Sequence, residues 1–594
     1  MKRLVAMLPM VALMACQPVE EEQVSPSGTP DEQVVALVDS YMQKRLSLDP
    51  LYAPYLGNFE YNHVLGNDLT EEYLKGRHEL NSGYQDKAES IDRDSLSAAR
   101  QLTLDIFLYD RQIDLVDETF PQRFMPLNQF YSRYSTFLQL GSGESAQPFR
   151  DETDYRAFMS RMDGFAAWVD SAISRMREGA ESKVVLPKVL AERVIEQLDA
   201  QLVEGPTQSP LYGPLKNAPA GLSDAVKLEY EIKIAQVALP AFKRLRDFMV
   251  NEYIAQARGS DGMWDLPNGR LWYQHLSNVH TTTALPVNEI HFIGLREVER
   301  IRSEMNEVRE RVGFEGTLEA FFEHLSSEPR FFFESSAGLV DGYEGLKGTI
   351  NAVLPDYFDA MPATDYYVKA VEPYREKSAA GASYEPGAPD GSRPGIFYIN
   401  TYNLKAQPKW GMTTLSLHEA APGHHFQITI QQELESLPDY QRFSSATAFV
   451  EGWALYAEYL GVEMGLFEDP YQYFGKLSDE MLRAMRLVVD TGIHAKGWSR
   501  EQAIQYMLDN SAMAETDVVA EVERYMAIPG QALSYKVGQL KIIELRQRAE
   551  KALGDKFDIK QFHNQVLLDG SLPLSVLEAK IDLWITSRAQ ASSL

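Results

Sequence analysis

Apolar side chains recur at three- and four-residue spacings through most of this 594-residue chain, while a short β-favouring run, Ile396, Phe397, Tyr398 and Ile399, stands out from them. That periodicity fits helices with one buried stripe and leaves room for only a small sheet. From residue 34 to about 250 it is carried by Leu, Phe and Met in stretches such as 155–176 and 189–202, then punctuated by Pro206, Pro210, Pro214 and Pro219. A turn-rich patch with Gly259, Gly262, Pro267 and Gly269 follows. Residues 381–395 hold three prolines and four glycines and read as a loop between two short strands, one within 365–374 and one at 396–399. Long helices return at 448–464, 477–493 and 500–507. The predicted fold is mainly α: a large multi-helix body with a small β-sheet just before the densest cluster of metal-capable side chains.

With 44% hydrophobic and 24% charged residues, the chain can bury sizeable cores. Its 57 Lys and Arg against 85 Asp and Glu give a net charge of −28, which argues against nucleic acid as a partner, because phosphate binding needs a basic stripe. The glycines around Gly492 lack the strand-turn-helix setting of a phosphate or dinucleotide loop. Lys2 and Arg3 precede an apolar run over residues 4–15, the layout of a secretory signal and too short to span a bilayer. Leu13, Met14, Ala15 and Cys16 resemble a bacterial lipobox, which implies cleavage before Cys16 and a lipid anchor on it. Cys16 is the sole cysteine, so no disulfide forms within the chain. Residues 17–32, with three prolines and five acidic residues, read as a flexible tether. Gln17 is not the aspartate of an inner-membrane retention signal, so the expected location is an outer-membrane anchor facing the periplasm. The expected divisions are a signal peptide at 1–15, the tether at 16–32, a helical scaffold or cleft wall at 33–270, and a catalytic portion at 271–594 packed with it as one body.

Three of the eleven histidines fall within eight positions: His418 and Glu419 are followed by Ala420, Ala421, Pro422, Gly423, His424 and His425. The familiar zinc-protease spacing places two histidines four apart on one helical face, with a glutamate between them to handle the attacking water. Here the fourth position is Pro422. On an unbroken helix His424 would lie about 9 Å along and about 240° around from His418, so the two could not share an ion. Pro422 cannot donate to the carbonyl of His418 and Gly423 tolerates unusual torsions, so the pair is expected to open a bulge that swings His424 back. His425 is the alternative second ligand, nearly in phase with His418 but too far along the axis, and suits an outer-shell or substrate contact. Glu451 is the expected third ligand, with Gly452 beside it allowing close packing on the histidine helix. Glu458, two turns on, suits an outer bond to a ligand histidine. Glu419 is then free to act as general base.

Softer expectations surround this set. Tyr535, just after the Pro529–Gly530 loop, is the expected donor to a developing oxyanion, with Tyr525 and His494 as alternates. Asp490 and His494, four apart, can meet on one helix face, for catalysis or for structure. Tyr398 and Asn400 sit on a proposed edge strand that an extended peptide could join, or serve packing and a turn.

The stretch from Arg393 through Gly395, Phe397, Tyr398 and Asn400 to His418, Glu419, Pro422, Gly423, His424, His425 and Gln427 resembles the bacterial family called domain of unknown function 885. So do Glu451 to Ala454, then Asp490 to His494 with Trp498, and Pro529 to Ala532 with Tyr535, Lys536 and Gly538. Thr282, Glu289, Ile290, His291, Gly294 and Glu297 extend the likeness upstream. The resemblance implies a largely helical zinc metallopeptidase similar to the gluzincin group, with His418, His424 and Glu451 on Zn2+ and Glu419 as base. It implies short peptides or peptide-like amides as substrates. Two other readings stand beside it: a zinc amidase or esterase acting on cell-wall fragments or small metabolites, and a non-catalytic periplasmic peptide-binding lipoprotein with a structural metal.

Overall fold

The computed structural model describes residues 28–590, apart from 373–375, 377–379, 389–390 and 392. The signal segment, Cys16 and most of the tether lie outside the described residues. The first helix, Pro30–Leu48, begins inside the segment read as tether. The backbone N–H of Glu32 donates to the Thr29 hydroxyl at 3.3 Å, the Thr29 N–H donates to the Glu32 carboxylate at 2.8 Å, and Pro30 opens the first turn. This reciprocal cap satisfies two helix-start donors, and the acidic, proline-bearing composition around it concealed the start signal.

Helix makes up 69% of the protein and strand 3%, so the mainly α body is as its periodicity requires. Residues drawn from 51–69 and 125–257 form an aromatic core of their own, in which Phe137 and Phe165 stack at 4.3 Å between Phe158 and Phe242. A second core crosses residue 270: Val34, Tyr41 and Phe107 share an interior with Tyr440, Trp453, Ile542 and Ile581. Tyr440 packs edge-on against both Tyr41, at 6.0 Å, and Phe107, at 5.3 Å. The N-terminal helices are therefore part of the hydrophobic interior of the later portion. Among the described residues no helix is long and apolar enough to cross a membrane.

The sheet has three strands, β1 (Tyr366–Ala370), β2 (Ala382–Glu385) and β3 (Gly395–Ile399), in the order β1-β3-β2, with β3 parallel to β1 and antiparallel to β2. Two expectations are corrected here. The segment read as a loop contains β2, and the strand carrying Tyr398 is central, so it offers no free edge to a peptide. All five residues of β3 are buried. An apolar run without alternation marks a strand covered on both faces, which is the feature that should have placed it in the middle. Asn400, just past β3, donates its backbone N–H to Gly381 at 2.9 Å and caps the β2–β3 pairing. Phe397 and Ile399 pack with Met412 and Ala420, which seats the sheet against the chain that carries His418.

The helices Thr447–Glu463 and Ser534–Leu553 cross at a pair of glycines. A Cβ on Gly452 would lie 2.5 Å from the Gly538 backbone, and one on Gly538 would lie 1.9 Å from the Ala448 carbonyl oxygen. The expected role of Gly452 against the histidine helix is thus corrected. That contact is made by Gly461, whose Cβ would meet Leu417 at 2.4 Å. Since backbone cannot yield as a flexible side chain can, Gly538→Ala should force the helices apart and cost about 3 kcal/mol or more, read as a lowered thermal midpoint in calorimetry. Gly465→Ala, with open space around its Cβ but φ of 72°, should cost only about 1 kcal/mol.

Candidate metal centre

The helix Met412–Glu419 ends on the two residues that open the motif, and the next helix, His424–Glu433, starts on its second histidine. The break is therefore a helix end and a new helix start rather than a bulge within one helix. Ala420 leaves the helical region at φ −105° and ψ −106°, and Gly423 sits at φ −76° and ψ −130°. Gly423 is required by proximity: a Cβ there would lie 1.9 Å from the His418 carbonyl oxygen and 2.3 Å from that of Leu417. The Trp453 indole N–H donates to the Pro422 carbonyl at 2.7 Å, tying the break to the helix that bears Glu451.

This turn brings His418, His424 and Glu451 together, with one donor atom from each lying within 4.8 Å of the others. His424 Nε2 is 3.4 Å and His418 Nε2 is 3.7 Å from the same oxygen, Glu451 Oε2, and the two rings stand perpendicular with centroids 4.7 Å apart. At these distances Glu451 Oε2 has no hydrogen-bond donor although it is buried. Donors around one tetrahedral zinc are about 3.3 Å apart, so the set fits an ion of that size with small side-chain adjustments. His418 Nδ1 is 2.7 Å from Glu458 Oε1, and the other Glu458 oxygen accepts from the Thr414 hydroxyl at 2.8 Å. That bond fixes the ring and leaves Nε2 facing Glu451.

The electrostatics favour positive charge on His418 and negative charge on Glu451. Burial alone would lower the His418 pKa, yet Glu451 and Glu458 raise it to about 10. Burial would raise that of Glu451, yet the His418 and His424 rings hold it well below the usual carboxylate range. Two carboxylates, Glu458 buried and Glu451 partly exposed, thus hold a positive charge on the imidazole between them. Glu419 is half-buried at the end of its helix, and its charge, after burial and Asp479, raises the pKa of the Tyr343 phenol.

Tyr535 stands one turn before Gly538 on the helix that crosses beside Glu451. Burial raises its pKa, and Glu451 adds to the shift, so the phenol keeps its proton next to the carboxylate. Arg524 donates to its hydroxyl at 3.3 Å, and the Arg486 guanidinium lies 4.4 Å over its ring. Tyr525 is held apart from the cluster, donating to Glu521 at 2.6 Å. His425 turns toward the sheet: its Nδ1 is 3.0 Å from the Tyr384 hydroxyl, and burial lowers its pKa to about 4.

Asp490 and His494 do not form the pair expected from their spacing. Residues Gly492–Lys496 form a π turn, whose extra residue per turn rotates His494 away from Asp490. His494 accepts from the Met263 N–H at 3.2 Å and donates to the Tyr525 carbonyl at 3.0 Å, and burial lowers its pKa to about 3. Asp490 accepts from Tyr273 at 2.5 Å and from the Gly530 N–H at 3.1 Å. Both side chains tie neighbouring helices and loops to their own helix, and neither is bonded to His418, His424 or Glu451. The sequence reading also missed Thr414, Trp453, Arg486 and Arg524. The tryptophan carried a signal, standing two residues after Glu451, whereas the arginines converge from distant helices and carried none.

A mainly helical protein with a half-buried two-histidine, one-glutamate cluster at a helix break is the class defined so far. The chain belongs to the family described as bacterial protein of unknown function DUF885, which matches residues 50–581. Among solved structures, a candidate lipoprotein from Colwellia psychrerythraea is 30% identical, with a TM-score of 0.84 over 94% of this chain and 100% of that one. A candidate lipoprotein of unknown function from Shewanella oneidensis, 19% identical, shares the fold at a TM-score of 0.75 over 92% of this chain and 99% of its own. No curated protein matches.

Asp490 gives the pH prediction. Burial raises its pKa to about 7 against the bonds from Tyr273 and Gly530. The folded state then holds a proton that the unfolded chain releases near pH 4, so stability falls as pH rises from about 4 to 7, by up to about 1.4 kcal/mol per unit. Asp490→Asn, which keeps an acceptor, should flatten that slope in urea titrations and be more stable than the parent at pH 8.

Proposed function

We propose that the protein is a zinc-dependent peptidase acting on short peptides, similar to the gluzincin group. The observation that carries this reading is the convergence of His418, His424 and Glu451, with an unsatisfied carboxylate oxygen of Glu451 between the two rings; Glu419 follows His418 directly in the chain. A zinc ion held by these three would supply the Lewis acidity that activates a water and polarises a carbonyl. Glu419 takes the proton from the attacking water and returns it to the departing amine nitrogen, so the acid and amine products balance. Tyr535 donates its phenolic hydrogen bond to the carbonyl oxygen as negative charge gathers there. Glu458 keeps the His418 ring oriented. The limited exposure of the donor side chains, 4% for His418, 13% for His424 and 18% for Glu451, favours slender peptide chains over folded proteins.

The protein is further proposed to be a secreted lipoprotein anchored through Cys16 to the outer membrane, facing the periplasm. The Leu13–Cys16 lipobox and the descriptions of both solved relatives support the anchor.

The test pairs metal analysis with peptide hydrolysis. The parent should hold about one zinc per chain. Glu419→Gln should keep zinc and lose about 10²- to 10⁴-fold in kcat, whereas His418→Ala should lose the metal. Glu458→Gln should weaken zinc affinity by about 10- to 100-fold. Full activity in Glu419→Gln, or unchanged zinc content in His418→Ala, would remove the assignment.

A further inference from the structure

We propose that Arg524, presented beside Tyr535, receives the C-terminal carboxylate of the peptide, so that the protein removes residues from peptide C-termini. This rests on the peptidase reading above and names its substrate class.

The argument starts from the crossing of two helices. Gly452 and Gly538 touch backbone to backbone, and Glu451 and Tyr535 lie next to that crossing, one on each helix. Tyr535 in turn carries Arg524 on its hydroxyl at 3.3 Å, so the guanidinium is one side chain removed from the Glu451 helix. On the side of Tyr535 away from Glu451 two guanidiniums gather, in a protein whose net charge is −28. Two guanidiniums, Arg486 and Arg524, face one carboxylate, Glu521. Arg486 lies 2.8 Å from a Glu521 oxygen that also accepts from Tyr525 at 2.6 Å, whereas Arg524 is 3.5 Å from the other oxygen. Among the described residues Arg524 otherwise donates to neutral oxygens, Gln531 Oε1 at 2.9 Å and the Tyr535 hydroxyl at 3.3 Å. The next ions, Arg483 and Asp479, neutralise each other at 3.0 Å.

The two arginines differ in what they can reach. Arg486 is buried, 4% exposed, and its Nη1 has no hydrogen-bond partner. It acts as a fixed charge behind the tyrosine ring. The Arg524 side chain is 23% exposed, and its bond to Glu521 is long at 3.5 Å. A planar fork with a weakly held counter-ion suits a carboxylate, which it can grip through two parallel hydrogen bonds. An extended residue spans about 3.5 Å, so an anchor one side chain from the reacting carbonyl selects the last peptide bond or the one before it.

A carboxylate could also come from an acidic side chain, so the substrates must separate the two sources. Tetrapeptides would be compared as free acids, as C-terminal amides, and as amides ending in Glu. The parent should release the terminal residue from free acids with kcat/KM at least about 30-fold above either amide. Arg524→Gln should reduce that preference to a few-fold, mainly through KM, with zinc content unchanged, and Arg524→Lys should recover part of it. Equal cleavage of acids and amides by the parent, an unchanged preference in Arg524→Gln, or Glu-ending amides as good as free acids would each overturn the anchor. The parent comparison decides the matter even if Arg524→Gln fails to fold. Calorimetric binding of the same peptides to zinc-loaded Glu419→Gln protein separates the two proposals. No turnover of any peptide by the zinc-loaded parent sinks the peptidase reading, while equal binding of acid and amide sinks the carboxylate anchor.

Discussion

The contact between Gly423 and the carbonyl oxygens of Leu417 and His418 is the constraint on which the candidate centre depends. A side chain at that position would occupy the same space as the preceding helix end, so only glycine lets the chain reverse tightly enough to restart as a helix at His424. Two histidines six positions apart then share a neighbour, Glu451, that a continuous helix would have denied one of them. The Trp453 bond to the Pro422 carbonyl fastens the reversal to the helix of Glu451. One side chain thereby couples the position of the third donor to the geometry of the first two.

Burial then sets the chemistry. His418, Glu458 and Thr414 form a chain of bonds with almost no exposed surface, so the ring cannot trade Glu458 for water when its other nitrogen changes partner. Removing Glu458 alone would leave a buried imidazole and hydroxyl without their acceptor, a larger loss than deleting an exposed ion pair. A proton or a metal ion at this point satisfies the same demand, and exchange of one for the other couples metal affinity to pH.

How much of this the sequence disclosed depended on whether the partners lay on one helix or on several. The His-Glu, Pro-Gly and His-His order was legible because a breaker inside an apolar helical pattern is a local signal. The phase relation of Glu451 and Glu458 was equally local and placed both carboxylates toward His418. The central place of β3 was written in its unbroken apolar run but was read as an edge. The Asp490–His494 pair failed because spacing assumes a regular helix, and the π turn at Gly492–Lys496 changes the count. Gly452 was recognised as a point of close approach, yet its partner, Gly538, lies far along the chain, and nothing local says which helix will meet it.

The helix Pro470–Thr491 shows why the charged surroundings stayed hidden. Asp479, Arg483, Arg486 and Asp490 follow one another at intervals of four, three and four, a single stripe along one face. On an outer helix such a stripe would point to water. Here it points inward and meets three elements in turn: Arg483 and Asp479 the Glu458 region, Arg486 the ring of Tyr535, and Asp490 the Tyr273 hydroxyl and the loop at Gly530. On the adjoining face Glu480 joins the buried Lys476 and Lys536 and the more exposed Arg300 in a second network. Desolvating so many charges costs more than their pairing returns unless every partner is in place. The helix therefore contributes less to hydrophobic stability than a leucine stripe would. What it supplies is a set of fixed charges, rigid on the scale of a side chain, lined up from the histidine cluster to Tyr535. Since the backbone of one helix holds the spacing between those charges, the electrostatic field around Tyr535 and Glu451 cannot shift without moving the helix that also packs the core.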